Sequence, residues 1–272
     1  MFKIGNLICT IGGKGVLLGI DYNPLKLPPN TIRVRTNDGN VPTKDSLTTY
    51  ETATLVTGTS DVYDVYKSGS DLSGMLRESS NVTEVLGANT AGITNMSHMF
   101  HSCSILTTIP LFDTSSVTDM SYMFSICMAL TSVPLFDTSN VTNMHDMFFS
   151  CYALTTVPLF DTSSVTDMAY MFAGCRILQS VPLFDTSSVT DMFKMFDSCP
   201  LLASIPLFDT SSVTSMSYMF NECTGVESGA LALYQQASAK PSTPSHMYCF
   251  HNCGSNTVTG AAELAQIPSG WK

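Results

Sequence analysis

Two stretches of this chain are nearly identical in sequence: TSVPLFDTSNVTNMHDMFFSC at 131–151 and TTVPLFDTSSVTDMAYMFAGC at 155–175. They lie 24 residues apart. The same interval separates six methionines that are each followed by phenylalanine: Met99, Met123, Met147, Met171, Met195 and Met219. It also separates six cysteines: Cys103, Cys127, Cys151, Cys175, Cys199 and Cys223. A fixed period of this length indicates a repeat architecture, in which each unit buries its apolar face against its neighbours.

Each period contains two patterns of apolar residues. The first is the spacing i, i+3, i+4, i+7, which predicts one face of a short helix. It is carried by Met120, Met123, Phe124 and Cys127. Thr118 or Asp119 is expected to cap the start of that helix, because a short side-chain oxygen accepts a free backbone N–H there. The second pattern predicts a short strand, and it is carried by Leu130, Val133 and Leu135.

Stacking these units predicts an α/β repeat solenoid of period 24, with short parallel strands on one side and short helices on the other. We place the repeats at 71–226 and a C-terminal cap at 227–272. The cap should contain a helix within SGALALYQQASAK and a last partial repeat, HMYCFHNC. Residues 1–70 do not repeat, and we predict a small β-rich module there.

The front module is expected to begin with two strands around the glycine turn GGKG, and TIRVRTNDGNVPT should add another strand. The apolar N-terminus is interrupted by glycines and is followed by no small-residue cleavage site. It is therefore a poor signal peptide. If the protein works outside a cell, we expect a route other than ordinary secretion.

Composition argues against several functions. The net charge is −10, with 22 acidic and 12 basic residues and no basic stripe, so nucleic-acid binding is not expected. No stretch reaches the ~20 consecutive apolar residues of a membrane span. A nearly uniform repeat does not concentrate a nucleophile, a base and an orienting group at one place, so we expect neither an enzyme nor a cofactor.

Cysteine, aspartate and phenylalanine each recur once per repeat, and each of these three columns could form a functional site. The cysteines are interpreted as small buried hydrophobic residues, because packed helices lie ~8–10 Å apart and a disulfide needs Cα atoms within about 7 Å. The second column, aspartates interpreted as satisfying turn N–H groups rather than calcium, is Asp113, Asp137, Asp161, Asp185 and Asp209. The third column would form a binding surface if it were exposed, but we expect it to be buried in the core. Its members are Phe112, Phe136, Phe160, Phe184 and Phe208.

One sequence motif is compatible with zinc. On a helix, His246, Cys249 and Cys253 would share a face and offer the nitrogen and sulfur ligands that zinc favours. The same three residues fill the Met, Met and Cys positions of the repeat. Burial in the core is therefore the preferred interpretation.

The residues that differ between repeats lie on the predicted outer face of the helix and in the loop after it. Aromatic residues and methionine are suited to protein and ligand contacts. We hypothesise that this ridge contacts a partner or a neighbouring subunit, with neutral drift on a solvated face as the alternative. The candidate binding residues are Tyr122, Ile126, Met128, His145, Phe149, Tyr152, Tyr170, Arg176, Phe193, Lys194 and Tyr218.

The phrase DTSNVTNMHDMFFSC resembles the BspA-like leucine-rich repeats, also described as the mycoplasma-type surface-protein repeat. The resemblance covers about residues 71–226 and the partial repeat at 246–253. It implies a leucine-rich-repeat-like solenoid used for adhesion or recognition. The unrepeated front module and the ending GAAELAQIPSGWK are also similar to versions of this family encoded by phages and prophages of gut bacteria.

Three functions therefore remain open. One is a recognition protein on a phage virion, attached through residues 1–70 and contacting a host glycan or protein. The others are a bacterial cell-surface adhesin and a structural decoration or cement protein of a virion. Because a β-rich piece as small as 1–70 buries little surface alone, we expect it to be bound to a carrier or to further copies of itself.

Overall fold

The computed structural model describes residues 8–11, 14–17 and 25–272. Its first two strands, β1 (Ile8–Ile11) and β2 (Lys14–Leu17), pair antiparallel. This confirms the two predicted strands, although the second begins at Lys14, within GGKG.

A four-stranded antiparallel sheet follows. It is built from β3 (Thr31–Thr36), β4 (Thr52–Leu55), β5 (Val62–Tyr66) and β6 (Val82–Asn89). The strand order is β4-β5-β3-β6, so β3 is central and β4 lies at an edge. The strand predicted in TIRVRTNDGNVPT is β3, and it alternates as a half-buried strand should. Ile32 and Val34 are buried, whereas Arg33 is paired with Asp64 at 2.6 Å.

Strand β6 joins the four-stranded sheet to the segment in which we place the repeats. It lies beyond residue 70 and pairs with β3 over Val82–Asn89, with two irregularities in register. Buried residues of the sheet, such as Val34 and Val65, belong to one hydrophobic cluster that continues to Trp271. The hydrogen-bonded sheet and its core therefore cross the boundary predicted at 70/71.

Successive repeats are joined by backbone hydrogen bonds at a constant offset. The N–H of Thr142 donates to the carbonyl of Thr118 at 2.9 Å, and Thr166 donates to Thr142 in the same way. Single-residue parallel bridges, such as Asp119 with Asn143, link each repeat to the next. The buried threonines of four DTS sequences, Thr114, Thr138, Thr162 and Thr186, add a side-chain bond, as when Thr138 Oγ1 donates to the Asp161 carbonyl at 2.8 Å.

The predicted short helices are wrong. Residues 121–126, within the predicted helix, form consecutive turns instead. Within them alternate N–H groups donate three residues back, as from Met123 to Met120, while the others donate to the following repeat, as from Phe124 to Met147 at 3.0 Å. In an α-helix, each N–H group beyond the first turn would bond to the carbonyl four residues back. Half of the N–H groups bond to the next repeat, so no helix forms. The same side chains are nevertheless buried.

The predicted strand at Leu130, Val133 and Leu135 is also absent from the described structure, where this segment has no assigned strand. Pro134 lacks an N–H, and the N–H of Phe136 turns back to the Pro134 carbonyl at 3.0 Å. This local bond replaces a ladder. Leu130 and Val133 are nonetheless buried as predicted.

The core is a set of identical side chains that pack repeat on repeat. Phe100, Phe124, Phe148, Phe172, Phe196, Phe220 and Phe250 form a stacked column, with neighbouring ring centroids 5.2–5.9 Å apart. The second phenylalanine column, from Phe112 to Phe208, is also buried, which confirms that prediction. The eight cysteines of residues 25–272 are free and buried, as expected for core residues. Most of their thiols donate to a phenylalanine carbonyl, as from Cys127 to Phe100 at 3.1 Å.

Two helices and a short 3-10 helix close the C-terminal end. The predicted helix is α1 (Ala230–Ser238), whereas α2 (Val258–Gln266) and the 3-10 helix (Ser269–Trp271) were not predicted. In earlier repeats the equivalent N–H donates to a carbonyl of the following repeat, as from Phe220 to Cys249 at 2.8 Å. In the last repeat the N–H of Phe250 donates to the Trp271 carbonyl at 2.8 Å instead. Trp271 is buried beside Phe250 and thus ends the phenylalanine column.

Candidate functional site

An aromatic ladder runs along the outer side of the Met-Phe turns. Each ring contacts the next, with centroid separations from 4.4 to 6.0 Å. Six members are half-buried and Tyr248 is exposed. We define the aromatic ladder as His98, Tyr122, His145, Tyr170, Phe193, Tyr218 and Tyr248.

The ladder draws on two adjacent positions of the repeat. The residue just before the Met-Phe pair supplies the ring in most repeats, as Tyr122 and Tyr170 do. In two repeats that position holds a charge instead, Asp146 or Lys194. There the preceding residue, His145 or Phe193, supplies the ring. The ladder is therefore continuous although no single column is uniformly aromatic.

The residues before the Met-Phe pairs adopt left-handed backbone conformations. Tyr122 and Tyr170 both have φ of 58°, and Tyr218 has 61°. Bulky residues rarely adopt the left-handed conformation, and residues held in it occur often at functional sites. Hydrogen bonds to the next repeat hold them there, as from the Tyr122 N–H to the His145 carbonyl at 2.8 Å.

His145 lies between two carboxylates at the middle of the ladder. Its Nε2 is 2.8 Å from Asp146 Oδ2, and its Nδ1 is 3.3 Å from Asp167 Oδ1. These bonds raise the pKa of His145 to about 10. Asp146 is itself buried, so a cationic His145 balances its charge.

We expect the contribution of His145 to stability to depend on pH. Because its pKa rises from 6.5 to about 10 on folding, the contribution is complete below pH 6.5 and is lost as the pH rises through about 10. Urea unfolding of the wild type and of His145→Gln, at pH 6 and pH 10, checks this. The difference in unfolding free energy between the two proteins should be largest at pH 6. A difference that does not change with pH would contradict the paired geometry.

The first end of the ladder is electrostatically different. His98 stacks on Tyr122 at 4.4 Å and meets His101 edge-on at 5.5 Å. Their Nδ1 atoms are buried and make no hydrogen bond. Burial lowers the pKa of both imidazoles, to about 4 for His101. Both rings are therefore neutral at pH 7 and act as apolar plates.

A shallow depression of about 340 Å³ opens beside the ladder in the middle of the repeats. Five predicted residues line it: Phe149, Tyr152, Tyr170, Arg176 and Lys194. The Arg176 guanidinium lies over the Tyr152 ring at 4.4 Å. The Lys194 Nζ lies 5.2–5.7 Å from the rings of Tyr170, Phe193 and Tyr218. The structure therefore brings aromatic faces and two cations together.

The remaining predicted residues fall into two groups. Tyr122, His145, Phe193 and Tyr218 are ladder members, whereas Ile126 and Met128 lie outside both the ladder and the depression. His98 and Tyr248 were missed. Extending the column by one period before Tyr122, or aligning HMYCF with SYMF, would have found them.

The possible zinc ligands are not brought together. Cys249 and Cys253 are buried, while His246 stacks on Trp271 at 4.0 Å. In the described part of the chain, no three His, Cys, Asp or Glu side chains are arranged to hold a metal ion. The aspartate column closes turns as predicted: Asp113 Oδ1 accepts the Ser115 N–H at 3.0 Å.

A second exposed row is apolar and lies outside the ladder. It repeats the leucine after each Val-Pro or Ile-Pro pair. Leu159, Leu183 and Leu207 are 54–60% exposed, whereas Leu111 and Leu135 pack partly against the core. We call Leu159, Leu183 and Leu207 the leucine row. It offers a natural control for the ladder.

Comparison with known families assigns the repeats. Residues 70–180 and 128–233 match the family described as "Mycoplasma protein of unknown function, DUF285". Together these matches cover more than half of the chain, so the chain belongs to this family. Searches of curated proteins and of solved structures found no significant match. The family assignment confirms the mycoplasma-type repeat inferred from DTSNVTNMHDMFFSC.

The described helices were also compared with the requirements of a membrane span. None of those in the described residues has both the length and the apolar character needed to cross a bilayer.

Proposed function

We propose that this chain is a non-enzymatic recognition or adhesion protein. Its repeats form a leucine-rich-repeat-like solenoid that presents the aromatic ladder to a glycan or protein on a host surface. The ladder is the single observation that carries the proposal. The core positions repeat almost unchanged, while the outer positions differ and yet keep one continuous line of rings.

The solenoid is supported by the constant offset of the hydrogen bonds and by the phenylalanine column. Bonds such as Thr166 to Thr142 and Thr190 to Thr166 have equal lengths of 2.9 Å. Each repeat thus contacts its neighbours in the same way, which is the defining feature of solenoid proteins.

Surface recognition is supported by the chemistry of the ladder. Tyrosine and other aromatic side chains supply large, rigid contact area at low entropic cost and are enriched at interfaces. Half-burial fixes the rings before a ligand arrives, and preorganisation favours affinity. Membership in a mycoplasma-type surface repeat family, as the sequence resemblance describes it, agrees with this role.

We place the protein on a phage virion, attached through residues 1–70. Strand β4 supports attachment because it is a short edge strand of the sheet, and an exposed edge is a means of pairing with another chain. A bacterial cell-surface adhesin and a structural virion component are the alternatives. Peptide mass spectrometry of purified virions and of the bacterial surface fraction distinguishes them, since the proposal requires the chain in the virions.

Recognition is tested by a binding screen. The full-length protein is applied to an array of immobilised host glycans and extracellular proteins. We expect saturable binding to at least one of them, competed by the same molecule in solution. Uniform absence of saturable binding, with a cooperatively folded protein, would contradict recognition and favour the structural role.

A further inference from the structure

Two cations in the middle of the repeats converge on one place. Between residues 78 and 239 the chain has a single arginine and a single lysine, Arg176 and Lys194. Both line the depression beside the ladder. In a chain of net charge −10, this makes the depression a local cationic site on an acidic array.

Arg176 is available to an anion. Its side chain is exposed, and in the described part of the chain no carboxylate forms an ion pair with it. Stacking on Tyr152 at 4.4 Å holds the guanidinium in place. A planar guanidinium binds a carboxylate with two parallel hydrogen bonds, so its fixed orientation favours that ligand.

Lys194 contributes a second positive charge from the neighbouring repeat. Its Nζ lies among the rings of Tyr170, Phe193 and Tyr218, and Asp197 Oδ2 is 3.7 Å away. Asp197 therefore offsets part of the lysine charge. The depression retains the charge of Arg176 and can accommodate one anionic group.

Gly174 lines the depression at a position that other repeats occupy with a side chain. That position has left-handed φ throughout, and it holds Ile126, Ser150, Gly174, Ser198 and Glu222 in successive repeats. Among these five residues, only Gly174 has no side chain. A Cβ there would lie 3.0 Å from Ser150 Oγ. Ala173 beside it is also small.

We propose that this depression binds an acidic saccharide, an inference that rests on the proposed recognition function. The apolar C–H face of a sugar ring packs against the aromatic walls, chiefly Tyr170 and Phe149. Its carboxylate pairs with Arg176, and Lys194 supports the charge from the side. Nucleic acids do not fit, because one uncompensated cation among many carboxylates cannot replace the counterions of a phosphate chain.

Titration calorimetry or NMR titration of the full chain tests the proposal with matched sugars. The probes are 3′-sialyllactose, an unsulfated glucuronyl disaccharide, and neutral lactose. We expect at least one acidic sugar to bind about ten-fold or more tightly than lactose, with the preference falling as salt is raised. Arg176→Gln should remove that preference. Arg35→Gln, which makes the same change of net charge in the antiparallel sheet, should leave it intact.

Gly174→Ser provides a second, independent variant. Serine occupies the same left-handed position at Ser150 and Ser198, so the variant should fold. It should weaken binding of the acidic sugar by filling the depression. Equal binding of acidic and neutral sugars, or an unchanged preference in Arg176→Gln, would overturn this inference. Such a result would leave surface recognition standing, because the array screen tests that separately.

Discussion

Phe172→Ala is expected to lower the free energy of unfolding by about 3–5 kcal/mol, the range for phenylalanine truncation in a well-packed core. Phe172 is fully buried at the centre of the array. Its ring stacks on Phe148 and Phe196, and Phe184 of the second column packs against it at 6.2 Å. Truncation removes all three contacts at once and leaves a cavity bounded by neighbouring repeats.

Urea unfolding measures this loss, and Phe149→Ala is the matched control. Phe149 is the same residue type but is half-buried on the outer side, where it meets Tyr170 at 6.3 Å. We expect a cost of about 1 kcal/mol there, the scale of a partly exposed aromatic contact. If both variants lost the same stability, the assignment of core and surface would be wrong.

Deletion of one whole period, residues 131–154, is expected to leave a folded and shorter protein. After the deletion, the Phe124 N–H meets the carbonyl of Met171 in place of Met147, and the following bonds are replaced in the same way. Each repeat contacts only its neighbours, so removing one rejoins equivalent surfaces. Deletion of half a period, residues 131–142, brings unlike positions together and should abolish cooperative unfolding.

Circular dichroism during thermal unfolding distinguishes the two deletions. The whole-period deletion should keep a single sharp transition, and the half-period deletion should lose it. Similar melting of both proteins would contradict the proposed solenoid, because register would then not matter. Loss of folding in both would mean that the repeats are less interchangeable than their hydrogen bonds indicate.

The period and the buried face could be predicted from sequence, but the backbone conformation could not. The spacing of Met120, Met123, Phe124 and Cys127 identifies which side chains are buried, and all four are. The same spacing suits a helix and a run of turns with alternating conformations. Bonds such as Tyr122 to His145 decide between them, and they join residues that no single window contains.

The candidate site was predicted in part for a similar reason. Tyr122, Tyr170 and Tyr218 stand at matching positions, so their shared face follows from the period alone. The switch to His145 and Phe193 where the next residue is charged depends on how rings meet in space. Small residues such as Gly174 also line the depression, and a search for large contact residues does not find them. The pairing of β6 with β3 likewise joins residues far apart in sequence. It could not be predicted from the change in sequence pattern at residue 70.

Recognition by the ladder is the central claim, and one comparison of binding tests it most directly. The wild type, a ladder variant (Tyr122→Ser with Tyr170→Ser) and a leucine-row variant (Leu159→Asn with Leu183→Asn) are titrated against the array molecule that the wild type binds most tightly. Melting curves confirm that each variant is folded. We predict that the ladder variant loses about ten-fold or more in affinity, as for truncation of interface aromatic residues, and that the leucine-row variant binds like the wild type. Unchanged binding by the ladder variant, with loss in the leucine-row variant, would contradict the account.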